Sequence, residues 1–480
     1  MNQYYILKPK NLNVEKLVEH YKPDFKFNLD YAYLIVYLVI LRGDKKNNKK
    51  QVFLGSKFLE RLIGRNYHKY MDFLLENYPA TGNVLNGYRY KKGSYPFSYK
   101  LTKYYFEGGV ELYIIKDGRL INKLKGLFVK PLNENIRINY YFLSKYFKCN
   151  KLNVFAPFEA IDKTNSLASQ KKRLKSAISL IGFLNGQHRL TLKTSTDGRV
   201  HSNFTRLSKQ CRKYLKYEDE FLAEVDISSA VPYFLFIAMN SYINNNLISL
   251  KKFQYNNNSH SFAYIFDEFS GVLDNSEVGQ FGKLILDGII YDKFAELIFN
   301  KSLYESQGFD YDKVERYYQY NFKKIFGYYF DSDKADLKKF AKKRMLAMLF
   351  AKTSLYKFEQ LAFKQLFPTV LNFVNEFKDF QRYRHTEEII WTKKGRHKKM
   401  SYFCFQFEAK VMIGEIARQF DKLHKGKVPI FTLHDCLLTT VGHIEDLEEF
   451  MVKKFVELLG IAPNLTVERS SLENDYYLAG

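Results

Sequence analysis

Proline, cysteine pairs, linker-like stretches and long hydrophobic runs are all scarce in this 480-residue chain. With only 10 prolines and no long Pro/Gly/Ser segment, domain boundaries must be read from changes of pattern. No internal repeat is apparent. The four cysteines, Cys149, Cys211, Cys404 and Cys436, form no C-x-x-C pair. A zinc ribbon or a disulfide framework is therefore not expected, and a reducing, cytoplasmic interior is. The opening MNQYYILKPK lacks the basic-then-apolar layout of a signal peptide. The longest apolar run, Tyr31 to Leu41, lies between Asp30 and Arg42 and falls short of the ~20 residues that span a bilayer. It reads as a buried helix, and no membrane partner is expected.

What the chain does have is apolar mass and positive charge. Hydrophobic residues make up 46% and aromatics 17%, enough for sizeable cores in roughly three domains. Lys and Arg number 75 against 51 Asp and Glu, a formal charge of +24. Such an excess favours a polyanionic partner, nucleic acid first and an anionic membrane surface second. A coding bias toward Lys, Asn, Tyr, Phe and Ile produces the same surplus as a merely solvated surface.

Residues 28–106 read as one unit. After the Tyr31–Leu41 helix, LGSKFLERLIG predicts a short helix from Ser56 to Gly64. In RNYHKYMDFLLENY, Tyr67, Tyr70, Met71, Leu74 and Leu75 fall on one helical face. TGNVLNGYRYKKGSYPFSYKLT then alternates, with turn signals at Asn86-Gly87 and Lys92-Gly93, as in a hairpin. Helix, turn, helix and basic hairpin is the order of a winged helix, a fold that places a helix on duplex DNA. A small structural α/β unit accounts for it equally well. Residues 107–190 are mixed. Within them Ala168–Leu184 predicts a basic amphipathic helix carrying Lys171, Lys172, Arg173 and Lys175, suited to a phosphate backbone or to solvent.

Four segments carry chemistry. Gly198–Leu215 holds Arg199, Arg206, Lys209, Arg212 and Lys213, with Ser202 and Thr205 between them, the residue types that contact phosphate and sugar. Phe221–Phe236 is an apolar strand with Asp226 near its end, a position for a metal ligand or for a helix cap. Asp336–Pro368 is a long helical pattern in which Lys338 and Lys342 share a face and Phe350 lies about two turns further on. Two cations and a ring on one face suit a nucleoside triphosphate. Val428–Thr440 places His434-Asp435-Cys436 between apolar strands, and polar groups there are costly unless they serve something. CFQFEAKVMIGEIARQF before it predicts a helix starting near Gln406. Two carboxylates on strands, separated by a basic helical region, match the needs of two-metal phosphoryl transfer. Mg²⁺ suits carboxylate and phosphate oxygens, with Mn²⁺ as a substitute.

From about Thr191 onward the chain resembles the family A DNA polymerases and the related phage-type single-subunit RNA polymerases. Asp226-Ile-Ser-Ser resembles the first palm motif, D-x-S, which implies Asp226 as a metal ligand, with Ile227 in the metal shell and Ser228 by the nucleotide. Lys338-xxx-Lys342-xxxxxxx-Phe350-Ala351 resembles the fingers-helix motif R-xxx-K-xxxxxxx-Y-G. That implies nucleotide binding by Lys338 and Phe350, and proton donation to pyrophosphate by Lys342. The offset register Lys339/Lys343 loses Phe350. His434-Asp435 resembles the second palm motif, which implies Asp435 as the other metal ligand and His434 near nucleic acid. Gly198-Arg199 with Ser202 resembles the primer–template segment T-G-R-x-x-S, with Arg212 following, and Gln406 resembles the glutamine at the duplex minor groove.

The departures are informative. Cys436 stands where the family has an acidic or hydroxyl residue, and Val231 where its DNA polymerases carry the glutamate that excludes a 2′-hydroxyl. No D-x-E constellation of a proofreading exonuclease precedes the palm region.

The resemblance implies an α+β right-hand polymerase: a palm with an antiparallel sheet, helical fingers and a thumb, behind a winged-helix-like α/β region. The expected parts are 1–106 for nucleic-acid binding, 107–190 mixed with thumb-like helices, palm at 191–240 and 401–480, and fingers at 241–400. The expected activity is DNA synthesis without proofreading, for a phage or mobile element, on a DNA template with a DNA or RNA primer and nucleoside triphosphates. An RNA polymerase or primase, a two-metal nuclease, and a non-catalytic plasmid-type replication initiator are the alternatives.

Overall fold

The computed structural model describes residues 3–43, 51–79, 82–88, 97–128, 140–147, 151–167, 169–192, 196–244, 270–331, 334–379 and 397–472. Cys149 and the Lys92-Gly93 turn lie outside them. The fold is mixed α/β, and every sheet is antiparallel. Among the described residues no helix is long and apolar enough to cross a membrane.

The largest sheet has the order Phe431–Leu433, Cys436–Thr440, Glu220–Ile227, Leu215–Tyr217, Leu152–Val154, with Leu465–Glu468 also paired to Glu220–Ile227. It joins strands from 191–240 and 401–480 and takes its edge strand from the 107–190 region. Strand Glu220–Ile227 is central because Phe221, Leu222, Ala223, Val225 and Ile227 are all buried, and a strand covered on both faces reads as a nearly continuous apolar run. Helix Ala230–Ile243, buried along almost its whole length, follows it directly.

In the N-terminal region, helix Leu29–Gly43 covers the apolar run Tyr31–Leu41. Helix Ser56–Ile63 ends at Gly64, whose φ of 98° suits a residue without a Cβ. Helix Tyr67–Leu75 buries Tyr70, Met71 and Leu74. A three-stranded sheet of order Val52–Phe53, Ser98–Leu101, Leu85–Tyr88 completes the unit. Asn86-Gly87 is not a turn. Both residues lie within a strand, opposite Lys100 and Tyr99. Packing is close there: a Cβ at Gly87 would stand 3.1 Å from the Leu75 side chain, which would have to shift by a few tenths of an ångström. Strand Tyr4–Pro9 pairs with Val110–Ile115, across the expected boundary at 106/107.

Three helical expectations change. The pattern from Asp336 to Pro368 is not one helix. Helix Lys334–Phe350 stops, Tyr356 takes a left-handed conformation, helix Lys357–Leu366 begins, and Pro368 opens a third helix. The break is held by polar groups: the Gln360 amide donates to the Thr353 and Leu355 carbonyls at 2.7 and 2.6 Å, and the Lys378 ammonium donates to the Met348 carbonyl at 3.3 Å. The helix expected to start near Gln406 instead begins at Lys398 and runs through a π-helical stretch, Lys410–Ala417, to Leu423. In helix Gln170–Leu184 the cations occupy only the first turns, and residues Ser179 to Phe183 are buried all round, so it is not amphipathic along its length.

A buried ion pair ties the helical layer together. Arg344 donates from Nε to Glu359 at 2.7 Å and from Nη1 to Asn321 at 3.1 Å, and also reaches the Tyr317 hydroxyl. These groups join helices Tyr311–Phe326, Lys334–Phe350 and Lys357–Leu366. Removing one partner from such a pair strands the other charge. Glu359→Gln is therefore expected to lower folding stability by about 3 kcal/mol, measured by denaturant unfolding; a loss within error of zero would remove the pair as the organiser of this layer.

Candidate active site

The register of the central sheet brings two carboxylates together. Asp226 is opposite Cys436 in the pairing of Glu220–Ile227 with Cys436–Thr440, and the Ile227 N–H donates to the Asp435 carbonyl at 3.2 Å. His434 and Asp435 form the two-residue turn between strands Phe431–Leu433 and Cys436–Thr440, where Leu433 pairs with Cys436. His434 has a φ of 59°, a conformation unusual for a side chain other than glycine or asparagine. The tight turn thereby carries Asp435 to the end of the Asp226 strand. Asp226 is a strand residue and not a helix cap; the cap position belongs to Ser229, also left-handed at φ 62°.

Asp226 is half-buried. Burial, then repulsion from Asp435, pushes its carboxyl up to about 7, against the opposing pull of Lys342. Glu224 and Glu468 on neighbouring positions push the same way. Lys342 comes from helix Lys334–Phe350, so the structure does bring Asp226, Asp435 and Lys342 to one place. Lys338 lies one turn before Lys342 and is bonded to Asp292. Phe350 packs edge-on against Phe405, with ring centroids 5.3 Å apart. Ser228 shares a 3.0 Å hydrogen bond with the Thr466 hydroxyl. Val231 sits half-buried in the first turn of helix Ala230–Ile243. Ile227 is buried in the strand.

The residues singled out for nucleic acid have internal partners. Arg199 forms a fork with the fully buried Glu408, 2.8 Å from Nε to Oε1 and 2.5 Å from Nη2 to Oε2, and lies 3.9 Å over the Phe405 ring. Arg212 makes the same kind of fork with Glu224 at 2.5 and 2.8 Å. Ser202 is buried and accepts the Phe204 N–H. Gln406 donates to the Thr196 carbonyl at 2.7 Å, and a Cβ on Gly198 would stand 3.3 Å from its side chain. His434 lies near His201, at 5.5 Å between ring centroids. Burial, with Arg199 and His201 adding to it, pushes the His434 imidazole down to about 4, so it is neutral at pH 7.

Two groups here were not found from the sequence. Glu408 is a third carboxylate in the neighbourhood: burial pushes its carboxyl up, Arg199 opposes, and Asp435 and Asp226 both add to the rise. Its signal was available, because an acid on the apolar helix face two positions after Gln406 needs a cation. Tyr291 gave no local signal. It comes from helix Ile290–Ile298, lies beside Ser229, and has the Lys342 ammonium 5.6 Å from its ring centroid.

Among the described residues no group of three or more His, Cys, Asp or Glu side chains is arranged to hold a metal. The Asp226–Asp435 pair nevertheless suits a hard divalent cation, because two crowded carboxylates with one lysine nearby are short of positive charge. No protein-family model matches the chain, and no curated protein matches it.

The raised Asp226 value sets a pH dependence. The folded chain keeps this proton up to about pH 7, whereas the unfolded chain loses it near 3.8, so ionisation destabilises the fold progressively between those values. Asp226→Asn removes that penalty. The variant is expected to melt above wild type by a margin that is small at pH 4, grows up to pH 7 and then levels off at on the order of 4 kcal/mol. Melting curves across pH check this, and a margin that shrinks as pH rises would contradict it.

Proposed function

We propose that the chain is a template-directed nucleotidyltransferase with right-hand architecture, extending a primer on DNA without proofreading. One observation carries the reading: strand pairing sets Asp226 and Asp435 side by side, and Lys342 from a separate helix faces them. A nuclease needs the carboxylates but not that lysine. In this reading the sheet is the palm, the helices from Asn275 to Asp379 are the fingers, and helix Gln170–Leu184 belongs to the thumb-like part.

Asp226 and Asp435 would hold Mg²⁺, with Mn²⁺ as a substitute. When bound, the metal activates the attacking 3′-hydroxyl and stabilises charge on the leaving pyrophosphate. The protein's own groups do the rest. Lys338 and Lys342 bind the triphosphate, and Lys342 holds a proton for the departing pyrophosphate. Phe350, braced by Phe405, meets the base. The Arg199–Glu408 fork keeps the Gly198 turn against Gln406, where the primer–template would pass.

The N-terminal unit supports a duplex-binding role. Helix, strand, two helices and a hairpin, with the last strand in the middle of the sheet, is the order of a winged helix. Val231, in the first turn after Asp226, lies between the glutamate of the DNA polymerases and the small residue of the RNA polymerases, so RNA synthesis stays as the alternative.

Primer extension on a primed DNA template with Mg²⁺ tests the reading. Wild type is expected to extend with dNTPs in preference to NTPs, and Asp226→Ala or Asp435→Ala to lose at least roughly 10³-fold in rate. Lys342→Ala is expected to lose about 10²-fold. A preference for NTPs would move the assignment to RNA synthesis. Tight DNA binding without extension, primed or de novo, from either nucleotide pool would sink it in favour of the replication initiator.

A further inference from the structure

The two lysines that share a face of helix Lys334–Phe350 are in different states. Lys342 is exposed, and among the described residues it makes no salt bridge; its ammonium rests near the Tyr291 ring. Lys338 is held by Asp292, 2.6 Å away, and donates to the Gly288 carbonyl at 3.3 Å. Tyr291 and Asp292 are adjacent in the first turn of helix Ile290–Ile298, so one dipeptide engages both lysines. The same dipeptide reaches the Asp226 turn, because the Tyr291 side chain lies beside Ser229.

We propose that Asp292 is an internal stand-in for a triphosphate oxygen: it holds Lys338 while no nucleotide is bound and releases it when a polyphosphate bridges Lys338 and Lys342. This rests on the reading of these two lysines as the triphosphate site. The energetics favour exchange. The Lys338 and Asp292 side chains are 45% and 40% exposed, and ion pairs that open to solvent contribute about 0–1 kcal/mol. A polyphosphate offers several charges and charge-assisted hydrogen bonds to two ammonium groups at once. An ammonium has three donors, so Lys338 can keep the Gly288 carbonyl while its carboxylate partner is replaced. Lys342, held by a ring and not by an acid, is ready as the first point of contact.

Asp292 is thus a positioning residue that competes with substrate. Removing its charge should tighten polyphosphate binding, whereas a merely structural ion pair would leave binding unchanged or weaken it. The test uses the full chain, inorganic tripolyphosphate as the probe, and calorimetric titration at low salt with EDTA. Asp292→Asn is expected to bind about three-fold tighter than wild type, the equivalent of losing an exposed ion pair. Asp292→Glu should bind like wild type. In a Lys338→Met background, Asp292→Asn should have no effect. In primer extension Asp292→Asn should lower KM for the nucleotide without raising kcat. Unchanged or weaker binding by Asp292→Asn, or an effect that persists without Lys338, overturns the proposal. A wild type that shows the exchange but extends no primer supports the proposal and overturns the polymerase reading alone.

Discussion

Repulsion between two crowded carboxylates is the constraint around which this structure is arranged. Asp226 and Asp435 sit at the meeting point of two antiparallel strands, where burial, then the charge of Asp435, raises the energy of ionised Asp226. A single-residue slip of either strand would turn one of them to the other face of the sheet and relieve the strain. The apolar residues around them prevent it: Val225, Ile227, Leu437 and Leu438 are buried, so the register is held by the core. The two left-handed residues, Ser229 and His434, are the local consequence, because each turns the chain abruptly beside a carboxylate.

The helical layer has its own orientation problem. The run Lys342-Lys343-Arg344 presents cations on three sides of a helix, and only one can face the aspartates. Arg344 decides it by entering the interior to meet Glu359, Tyr317 and Asn321. With Arg344 inward, Lys342 lies on the opposite side. Lys343 is set apart from both, its ammonium 4.7 Å over the Phe326 ring. A buried, hydrogen-bonded guanidinium thus sets which lysine lies nearest the aspartates.

The strongly basic composition is distributed unevenly between surface and interior. Arg199 and Arg212 each make a fork with an acid within the protein, and Arg344 a third ion pair. These cations are spent on internal ion pairs. A formal charge of +24 therefore describes attraction of the whole molecule toward a polyanion, and it does not identify which side chains touch one.

The sequence alone was sufficient for elements whose signals are local. The apolar run Tyr31–Leu41, the helix from Ser56 to Gly64 and the tight turn at His434-Asp435 were legible because periodicity, a glycine stop and polar residues between apolar strands each act over a few residues. It misplaced Asn86-Gly87, where the glycine packs closely against Leu75 inside a strand, and the start of the Lys398 helix, which has no strong cap. Asp226, Asp435 and Lys342 were legible as residue types at suggestive spacings. Their convergence belongs to the tertiary structure, since strand register and helix rotation come from distant packing. So do the pairing of Glu408 with Arg199 and the contacts of Tyr291 and Asp292: an ion pair or a ring contact between remote segments does not name its partner in either one.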